Sequence, residues 1–466
     1  MKVSSPAALK LLMDGSQALA RVEHNGIRID EAYLKSALER MGKRVKRLDQ
    51  KLRSDPLWNK WRQRFGSKTQ IGNRQQLGEI LIGMGHQPTT LTKVSKKPQI
   101  NEEFLNSVDE PFVKDYLRMR KTENARSTFL VGLQREVIDG RVHPFFNLNT
   151  VETFRSSSNE PNVQNQQERN EELKKIIKRC YIPSPGNVLI EIDYSALEFR
   201  IAACFWKDPE MVRYVVEGRD PHRDAACDIF KLPAKEIGKK PRYVAKNQFV
   251  FPELYGSYFV QCAKKIWEAF GKHDLKTESG EEIVAVLKRQ GITELGDPEG
   301  YDHPKGTFIG RVKEAEDKFY RRFSKVAEEK PKWWKAYAGS GGFRMMTGFY
   351  VRGVYSRNFL MNAPVQGPAF HCLLWSLSQI VLKELVKRKM KAMVVAEVHD
   401  SLLGDVPEEE VQEYIGICKR IMTEEVRKVW DWIICPLDIE VEVGEESWAS
   451  KVGWVPNDKG IWGPKE

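Results

Sequence analysis

Cysteine is scarce and scattered in this sequence, with seven residues among 466 and no CxxC pair. That distribution favours neither a zinc site nor a disulfide framework, and it fits a reducing compartment. No apolar run approaches the ~20 residues that a membrane-spanning helix needs, and the N-terminal residues lack the apolar core of a signal peptide. We therefore expect a protein that is neither secreted nor embedded in a membrane.

Positive charge, by contrast, is in excess. The 75 Lys and Arg residues oppose 64 Asp and Glu, which gives a formal charge of +11 and a pI near 9.1. A basic balance suits a polyanionic partner such as nucleic acid, although basic proteins without such a partner are common. A chain of 466 residues is also long for one hydrophobic core, so two to four subdomains are expected.

The stretch from Val188 to Arg200 reads VLIEIDYSALEFR. Its first residues are mostly β-branched and apolar, which predicts a buried strand, and apolar residues recur at helical spacing from Leu197 onward. Asp193 would then lie at a strand-to-helix junction, where a carboxylate is anchored on rigid backbone. An isolated aspartate there is most often only a helix cap or a turn former.

A second candidate carboxylate lies far along the chain, in VVAEVHDSLLGDV from Val394 to Val406. Two strand-like runs flank His399 and Asp400, which predicts a hairpin with Asp400 at its tip. Two strand-borne aspartates could share divalent cations, and oxygen ligands suit Mg²⁺. A pair of such ions about 4 Å apart would activate an attacking hydroxyl and stabilise a leaving phosphate oxygen.

Between these stretches lies a cationic segment, KKPRYVAKNQFVFPELYG, from Lys239 to Gly256. Arg242 and Lys246 are one helical turn apart and would project from one face. A cationic face opposite a metal site is suited to a triphosphate. Spacing and periodicity therefore predict metal-assisted chemistry on a phosphorylated substrate.

These strings resemble motifs of the family A DNA polymerases, the DNA polymerase I type. DYSALEFR resembles motif A, the set from Arg242 to Gly256 resembles motif B, and HDS resembles motif C, where the family usually has HDE. TFRSSSNEPNVQNQ, from Thr153 to Gln166, and NAPVQGPA, from Asn362 to Ala369, resemble two further segments. All five occur in the family's order. The FVFPELYG and QGPAFHCLLW variants resemble polymerases of bacterial viruses, which implies the cytoplasm of a bacterium or of a virus-infected bacterium.

The resemblance implies an α+β fold of the right-hand polymerase type, with a palm of antiparallel sheet and helices, helical fingers and a helical thumb. The implied divisions are 1–60 as an N-terminal helical segment leading into the thumb, 61–140 as the thumb, 141–206 as the first part of the palm, 207–345 as the fingers and 346–466 as the second part of the palm. Since no proofreading domain precedes them in this sequence, we expect no 3′–5′ exonuclease in this chain.

Local patterns predict further elements. Residues 271–313 have no family counterpart, and their Gly, Asp and Glu content predicts an exposed insertion. The other predicted elements are a helix, turn and helix over Gln17 to Met41, mostly helix over Gln70 to Leu133, a long palm helix over Gly367 to Met390, a helix over Pro407 to Trp430, and a strand with a turn over Pro436 to Trp448.

The reaction implied by the resemblance is template-directed DNA synthesis. A primer 3′-hydroxyl attacks the α-phosphate of a dNTP, and pyrophosphate leaves. Asp193 and Asp400 would hold two Mg²⁺ ions, with Mn²⁺ as a substitute, and the backbone carbonyl of Tyr194 would be a third ligand. Lys246 would contact the triphosphate and protonate the departing pyrophosphate.

The resemblance also assigns the remaining nucleotide contacts. His222 and Arg242 would hold the triphosphate, and Tyr255 would belong to the same site. Glu198 would block a ribose 2′-hydroxyl and so select dNTPs, although it could instead simply pair with Arg200 on the helix.

One nucleotide contact depends on how motif B is counted. The string from Lys246 to Tyr255 is one residue longer than in the family, and Pro252 interrupts the helix. Counting back from Tyr255 puts Phe251 at the position that stacks on the sugar, whereas counting forward from Lys246 gives Val250. We favour Phe251, because an aromatic ring can stack on the nucleotide.

Primer-template DNA is the implied polymeric partner. Phe154 stands where the family usually has glycine. Hydrogen bonds to minor-groove acceptors common to all base pairs would test geometry without recognising sequence. The residues implied to contact DNA are Arg155, Arg357, Asn362, Gln366 and His399. We expect a monomer that works with a separate exonuclease, helicase or processivity factor in DNA replication or repair.

Two other functions stay open. A single-subunit RNA polymerase shares the RxxxK, YG and HDS elements, but its motif A has a small residue at the position of Glu198 and it lacks the TxRxSS-type segment. A catalytically silent nucleic-acid-binding subunit would have no need of Asp193, Asp400, Arg242 and Lys246 together. We therefore expect a DNA polymerase.

Overall fold

An antiparallel sheet lies at the centre of the computed structural model, which describes residues 5–88, 98–165, 170–272 and 274–465. Its six strands are ordered β12-β11-β10-β5-β9-β8, so β5 lies between β10 and β9. The described strands are β1 (Ile27–Arg28), β2 (Arg141–Val142), β3 (Phe145–Asn147), β4 (Ser157–Asn159), β5 (Asn187–Tyr194), β6 (Gly342–Arg344), β7 (Tyr350–Arg352), β8 (Met393–Val398), β9 (Ser401–Pro407), β10 (Ile439–Gly444), β11 (Val452–Pro456) and β12 (Trp462–Pro464).

The register of the sheet sets the positions of the two candidate carboxylates, Asp193 and Asp400. The predicted strand ending at Asp193 and the predicted hairpin around Asp400 are both confirmed. Every residue of β9 is buried, as in a central strand covered on both faces. Asp193 pairs with Ser401 on one side and with Glu440 on the other. The ends of three strands therefore meet at one edge.

The first helices are α1 (Pro6–Asn25) and α2 (Glu31–Arg53), with β1 between them, as the sequence predicted. Gly26 has φ 62, and its N–H closes α1 on the carbonyl of Val22. This left-handed conformation favours glycine. Asp30 caps α2 by accepting from the N–H of Tyr33.

A second hydrophobic cluster, from Leu48 to Met119, is separate from the main core. Trp61 is fully buried within it. The boundary predicted at residue 60 lies inside one of its helices, and the division itself stays a prediction. After α3 (Pro56–Phe65), the mostly helical prediction for Gln70 to Leu133 is confirmed in the described residues; the helices there are α4 (Arg74–Gly83), α5 (Glu102–Ser107), α6 (Pro111–Asn124) and α7 (Val131–Glu136).

Further helices follow in the middle of the chain. They are α8 (Glu171–Lys178), α9 (Leu197–Trp206), α10 (Pro209–Val216), α11 (Pro221–Phe230), α12 (Lys239–Ala245), α13 (Phe251–Leu254), α14 (Phe259–Lys272), α15 (Ile283–Arg289), α16 (Phe308–Arg322) and α17 (Ser324–Ser340). A π-helical segment, Lys246–Val250, joins α12 to α13.

The prediction of an exposed insertion over 271–313 holds only in part, since about half of the described residues there are exposed. Ile283, Leu287 and Ile292 are at most 1% exposed and belong to the main core. The polar composition predicted exposure, but a few apolar residues at helical spacing bury α15. This segment is therefore part of the packed body of the protein.

The long palm helix begins at Arg357, ten residues before the predicted Gly367. It runs as α18 (Arg357–Gln379), continues through a π segment, Ile380–Glu384, and ends in α19 (Leu385–Arg388). The prediction of its start was wrong: the helix continues N-terminally through Pro364, which lies before the predicted start. Pro364 offers no N–H to the carbonyl of Leu360, and Trp333 Nε1 donates to that carbonyl at 3.0 Å instead.

By length and composition alone, Arg357–Arg388 is one helix among the described residues that could cross a membrane. Its most apolar window is 67% buried inside the protein, so it packs as a core helix.

The C-terminal region completes the sheet. The predicted helix over Pro407 to Trp430 is confirmed as α20 (Val411–Lys419), a π segment, Arg420–Glu425, and α21 (Val426–Val429). The strand predicted over Pro436 to Trp448 is β10, whereas β11 and β12 were not predicted.

Candidate active site

Asp193 and Asp400 come from neighbouring strands. Asp193 is the penultimate residue of β5, and Asp400 lies in the turn between β8 and β9. The N–H of Tyr194 donates to the carbonyl of Asp400 at 3.1 Å, which ties the turn to β5. His399 adopts a left-handed φ of 66, a conformation in which His is enriched, and so bends the turn. Backbone hydrogen bonding therefore sets the position of both carboxylates.

The electrostatics of this pair are unfavourable without a cation. Burial raises the pKa of Asp193 to about 8, and the charges of Asp400, Glu191 and Glu440 act in the same direction. Burial also raises the pKa of Asp400. Asp193 Oδ1 is buried and has no hydrogen-bond partner among the described residues. Crowded carboxylate oxygens with an unsatisfied acceptor fit a hard divalent cation, although those residues contain no group of three or more His, Cys, Asp or Glu arranged for a metal.

Glu191, which the sequence did not single out, lies beside Ser401 of the HDS string. Ser401 Oγ donates to Glu191 Oε1 at 3.2 Å, and Trp448 Nε1 donates to Glu191 Oε2 at 2.6 Å. Lys451 Nζ bonds the same carboxylate. Although burial opposes its ionisation, the Lys451 ammonium keeps the pKa of Glu191 below its ordinary value. An ionised carboxylate that is paired with Lys451 thus borders the aspartate pair.

The π segment accommodates the extra residue of motif B. It restores the register so that Phe251 and Tyr255 stack with ring centroids 5.7 Å apart and planes inclined by 7°. Val250 is fully buried, whereas Phe251 is half-buried. Counting back from Tyr255 selects Phe251, whose ring is accessible, whereas counting forward from Lys246 selects the buried Val250. That Phe251 stacks on a sugar stays a prediction.

Arg242, Lys246 and His222 converge at one end of α11. Arg242 Nε donates to Asp220 Oδ2 at 2.5 Å, and Asp220 also caps α11 through the N–H groups of His222 and Arg223. Burial lowers the pKa of His222 to about 3, helped by the positive charges of Lys246 and Arg242. His222 is therefore a neutral donor beside two cations. The sequence did not predict Asp220 as the partner that orients Arg242.

Glu198 faces the aromatic stack. Tyr255 Oη donates to Glu198 Oε2 at 3.0 Å, and Arg155 Nη1 lies 4.0 Å from Glu198 Oε1. The alternative pairing with Arg200 is not observed: Arg200 donates to the backbone carbonyls of Ser195 and Pro436. The carboxylate is thus held between the aromatic stack and Arg155.

The residues predicted to contact DNA lie around α18. Asn362 and Gln366 are four residues apart inside the helix and so share a face. Gln366 Oε1 accepts from Thr153 Oγ1 at 3.2 Å, whereas Asn362 Oδ1 is buried without a partner among the described residues. Arg357 is exposed at the first position of α18.

The Thr153 to Gln166 string is anchored on β8 by a buried carboxyl that the sequence did not single out, Glu397. Ser156 Oγ donates to Glu397 Oε2 at 2.5 Å and Gln164 Nε2 donates to it at 3.0 Å. Phe154, in the family's glycine position, has φ 58, which glycine adopts without strain. Gln166 lies outside the described residues.

Comparisons with known proteins bear on the whole arrangement. The model of DNA polymerase family A matches residues 33–271 and 351–450. Curated relatives include DNA polymerase I of Chloroflexus aurantiacus, 26% identical over 92% of this chain and 42% of the relative. Another is the DNA polymerase of Bacillus phage SP01, 24% identical over 88% of this chain and 47% of the relative. A third is the thermostable DNA polymerase I of Thermus thermophilus, 27% identical over 94% of this chain and 47% of the relative.

A solved structure shares the fold. The POL domain of Pol1 from M. smegmatis, in complex with DNA primer-template and dNTP, superposes with a TM-score of 0.75 at 21% identity, over 94% of this chain and 70% of that one. The chain spans less than half the length of the curated relatives named above. Residues 272–350 lie between the two ranges that the family model matches.

Proposed function

The chain belongs to DNA polymerase family A, and from that premise we propose that it is a DNA-directed DNA polymerase acting in replication or repair. It extends a primer 3′-hydroxyl with dNTPs and releases pyrophosphate. The observation that carries the proposal is the pair of buried carboxylates, Asp193 and Asp400, at the edge of the sheet: burial and then the charge of Asp400 raise the pKa of Asp193, which favours cations there.

Asp193 and Asp400, with the Tyr194 carbonyl, would hold Mg²⁺, and Mn²⁺ could substitute. When bound, two such ions activate the attacking hydroxyl and stabilise the charge on the leaving oxygen. The half-buried side chain of Asp193 supports this, since its Oδ1 has no other partner among the described residues.

The cations beside α11 are suited to the triphosphate. Arg242, oriented by Asp220, presents a planar donor to phosphate oxygens. Lys246 carries a mobile proton that can pass to a pyrophosphate oxygen as it leaves. His222, buried and neutral, donates a hydrogen bond rather than adding charge.

The sugar of the nucleotide would lie between Phe251 and Glu198. The Tyr255 hydroxyl fixes the Glu198 carboxylate at 3.0 Å, so a ribose 2′-hydroxyl would meet a carboxylate that cannot rotate away. This arrangement supports dNTP selection.

Arg155, Arg357, Asn362, Gln366 and His399 would contact primer-template DNA. The net charge of +11 supports binding to a polyanion. The M. smegmatis domain with the same fold is in complex with DNA primer-template and dNTP. A separate exonuclease, helicase or processivity factor would complete the activity of this monomeric chain.

The test is primer extension on a DNA template with Mg²⁺, comparing dNTPs with rNTPs and including a mismatched 3′ end. We expect extension with dNTPs, and the mismatched end measures whether the chain has 3′–5′ exonuclease activity. Synthesis from rNTPs would instead assign the chain to the single-subunit RNA polymerases. DNA binding without synthesis would indicate a silent subunit.

A further inference from the structure

A buried carboxyl lies on the side of α13 opposite to the aromatic stack. Glu253 is 0% exposed, while Phe251 and Tyr255, two residues to either side, are half-buried. Residues two apart project about 200° apart around a helix. Glu253 therefore points away from the proposed nucleotide position and into the protein.

Helices α16 and α17 supply its partners. Lys330 Nζ donates to the Glu253 carbonyl oxygen at 2.5 Å and to Tyr320 Oη at 2.6 Å. Tyr320 Oη lies 3.1 Å from that carbonyl and 3.0 Å from Glu253 Oε2. Cys262 Sγ donates to Glu253 Oε1 at 3.2 Å. Glu253, Tyr320 and Lys330 are called the brace below.

The backbone hydrogen bonding of α13 is irregular, and its weak point is the Glu253 carbonyl. Pro252 has no N–H for a helical hydrogen bond, and the preceding π segment, Lys246–Val250, departs from the regular ladder. The next backbone donor to the Glu253 carbonyl, the N–H of Gly256, is 3.4 Å away. The brace therefore supplies the short bonds to the Glu253 carbonyl, whereas the Phe251 and Pro252 carbonyls accept from the N–H groups of Tyr255 and Ser257 at 2.8 Å.

The brace is strongly desolvated. Burial raises the pKa of Glu253 to about 8, with the nearby Glu316 acting in the same direction, and burial lowers the pKa of Lys330 to about 8. Groups that have lost water so completely depend on each other for hydrogen bonds. Removing one member leaves a polar group buried without its partner.

Both donors come from outside the matched ranges. Tyr320 and Lys330 lie between residues 271 and 351, which the family model does not cover, whereas Glu253 lies inside a matched range. The unmatched segment thus contacts the nucleotide side of the chain directly, through one four-residue helix.

Tyr255 carries the effect of the brace to the sugar position. Its N–H donates to the Phe251 carbonyl at 2.8 Å, and its hydroxyl donates to Glu198 at 3.0 Å. A shift of α13 therefore displaces the ring of Phe251 and the contact to Glu198 together.

We propose that the brace positions Phe251 and Tyr255 so that the chain selects the sugar of the incoming nucleotide. This inference rests on the proposed polymerase function. Glu253, Tyr320 and Lys330 are positioning residues, since they act through α13 without touching substrate.

The test is single-nucleotide incorporation by the full chain and by Lys330→Met, which keeps the length of the side chain and removes the ammonium. We expect the ratio of kcat/KM for a dNTP to that for the matching rNTP to fall about tenfold, the scale of one charge-assisted hydrogen bond. The dNTP KM should rise more than kcat falls. Tyr320→Phe, which removes one hydroxyl, should shift the ratio in the same direction by less.

Arg311→Met is the matched control. Arg311 is 9% exposed on α16, and it donates to Gln290 at 2.6 Å, away from α13. Its loss should lower the melting temperature and leave the ratio unchanged.

Three outcomes would overturn the inference. Lys330→Met could have a lower melting temperature, as Arg311→Met is expected to have, and still keep the parent's dNTP KM and its kcat/KM ratio of dNTP to rNTP. In that case the brace is only structural. If Lys330→Met does not fold, an unchanged ratio in Tyr320→Phe would likewise show that the brace is only structural. If the parent chain itself incorporates no nucleotide, the proposed function fails first, and the brace loses its role with it.

Discussion

Two parts of the proposed site place their side chains by different physical means. The first, called the metal edge, is the end of β5 and the adjoining turn, with Asp193 and Asp400; the second, called the nucleotide helix, is α13 with Tyr255. At the metal edge, Asp193 is held in the register of β5 between β9 and β10, and a backbone bond from Tyr194 ties the turn of Asp400 to it. At the nucleotide helix, a π segment before α13 and Pro252 within α13 interrupt the backbone ladder, and side chains from α16 and α17 bond the Glu253 carbonyl.

The difference suggests a division of roles. A central antiparallel strand offers little freedom, which suits carboxylates that must keep a fixed distance through each cycle. A helix held by a few side-chain bonds can shift when those bonds change, which suits discrimination between substrates. Substitutions at the metal edge should therefore abolish chemistry, and those at the nucleotide helix should alter selectivity.

The largest effect is expected at the metal edge. Asp400→Asn removes a charge that the cations require, so extension should fall by about 10³-fold or more. Primer-template binding, measured by fluorescence anisotropy, should stay within a few-fold. Asp405→Asn is the control, because Asp405 is a buried aspartate on β9, the strand that follows Asp400, and it bonds Ser184 and Asn187. It should lose stability and keep activity; an active Asp400→Asn would remove the metal assignment.

The next effect concerns Lys246, which lies between the two regions. Lys246→Met should lower kcat by about 10²-fold, because a positioned proton donor to the leaving group contributes on that scale. Pre-steady-state incorporation would measure it. Lys240→Met, an exposed lysine one turn and a half earlier on α12, should behave as the parent. Equal losses in both variants would mean that only the general positive charge matters.

At the nucleotide helix, selectivity should change while synthesis continues. Glu198→Ala opens space beside Tyr255 and should raise rNTP incorporation by about 10- to 100-fold, the scale of one relieved steric clash. Glu198→Gln keeps the length and an acceptor for Tyr255, so it should retain most of the discrimination. Unchanged dNTP preference in Glu198→Ala would show that another residue excludes the 2′-hydroxyl.

The same contrast explains how far the sequence could predict the molecule. Strand alternation and a hairpin pattern are local, so β5, the turn at Asp400 and the two aspartates followed from adjacent residues. The brace did not, because Glu253 finds Tyr320 and Lys330 only through tertiary packing across α16 and α17.

Two local errors have similar causes. The start of α18 was misplaced because Trp333, distant in sequence, satisfies the carbonyl that Pro364 leaves free. Residues 271–313 were expected to be exposed because their few apolar residues are outnumbered by polar ones, although those few suffice to bury α15. In both cases a partner far along the chain overrides a sound local preference.

The smallest effect compares a buried histidine beside the nucleotide helix with a buried histidine in the core. Burial lowers the pKa of His222, beside the nucleotide helix, and of His371, on α18, each to about 3 from an ordinary value of 6.5. Well above pH 6.5, each histidine is unprotonated in both the folded and the unfolded chain. As the pH falls below that value the unfolded histidine is protonated and the folded one is not, so stability declines by about 2 kcal/mol per histidine at pH 5 relative to pH 7. In urea titrations, the free energy of unfolding of His222→Gln and of His371→Gln should each fall by about 2 kcal/mol less between pH 7 and pH 5 than that of the parent chain.

Activity should separate the two variants. His371 Nδ1 is within hydrogen-bond distance of Thr347 Oγ1 at 2.6 Å in the core, so His371→Gln should leave the dNTP KM unchanged at a temperature where it is folded. His222 packs against Phe251 with ring centroids 5.4 Å apart, and its Nδ1 has no partner among the described residues. His222→Gln should therefore raise the dNTP KM by about threefold to tenfold, the range for one neutral hydrogen bond. If both variants raised the KM equally, lost packing and not a nucleotide contact would explain the effect of His222→Gln.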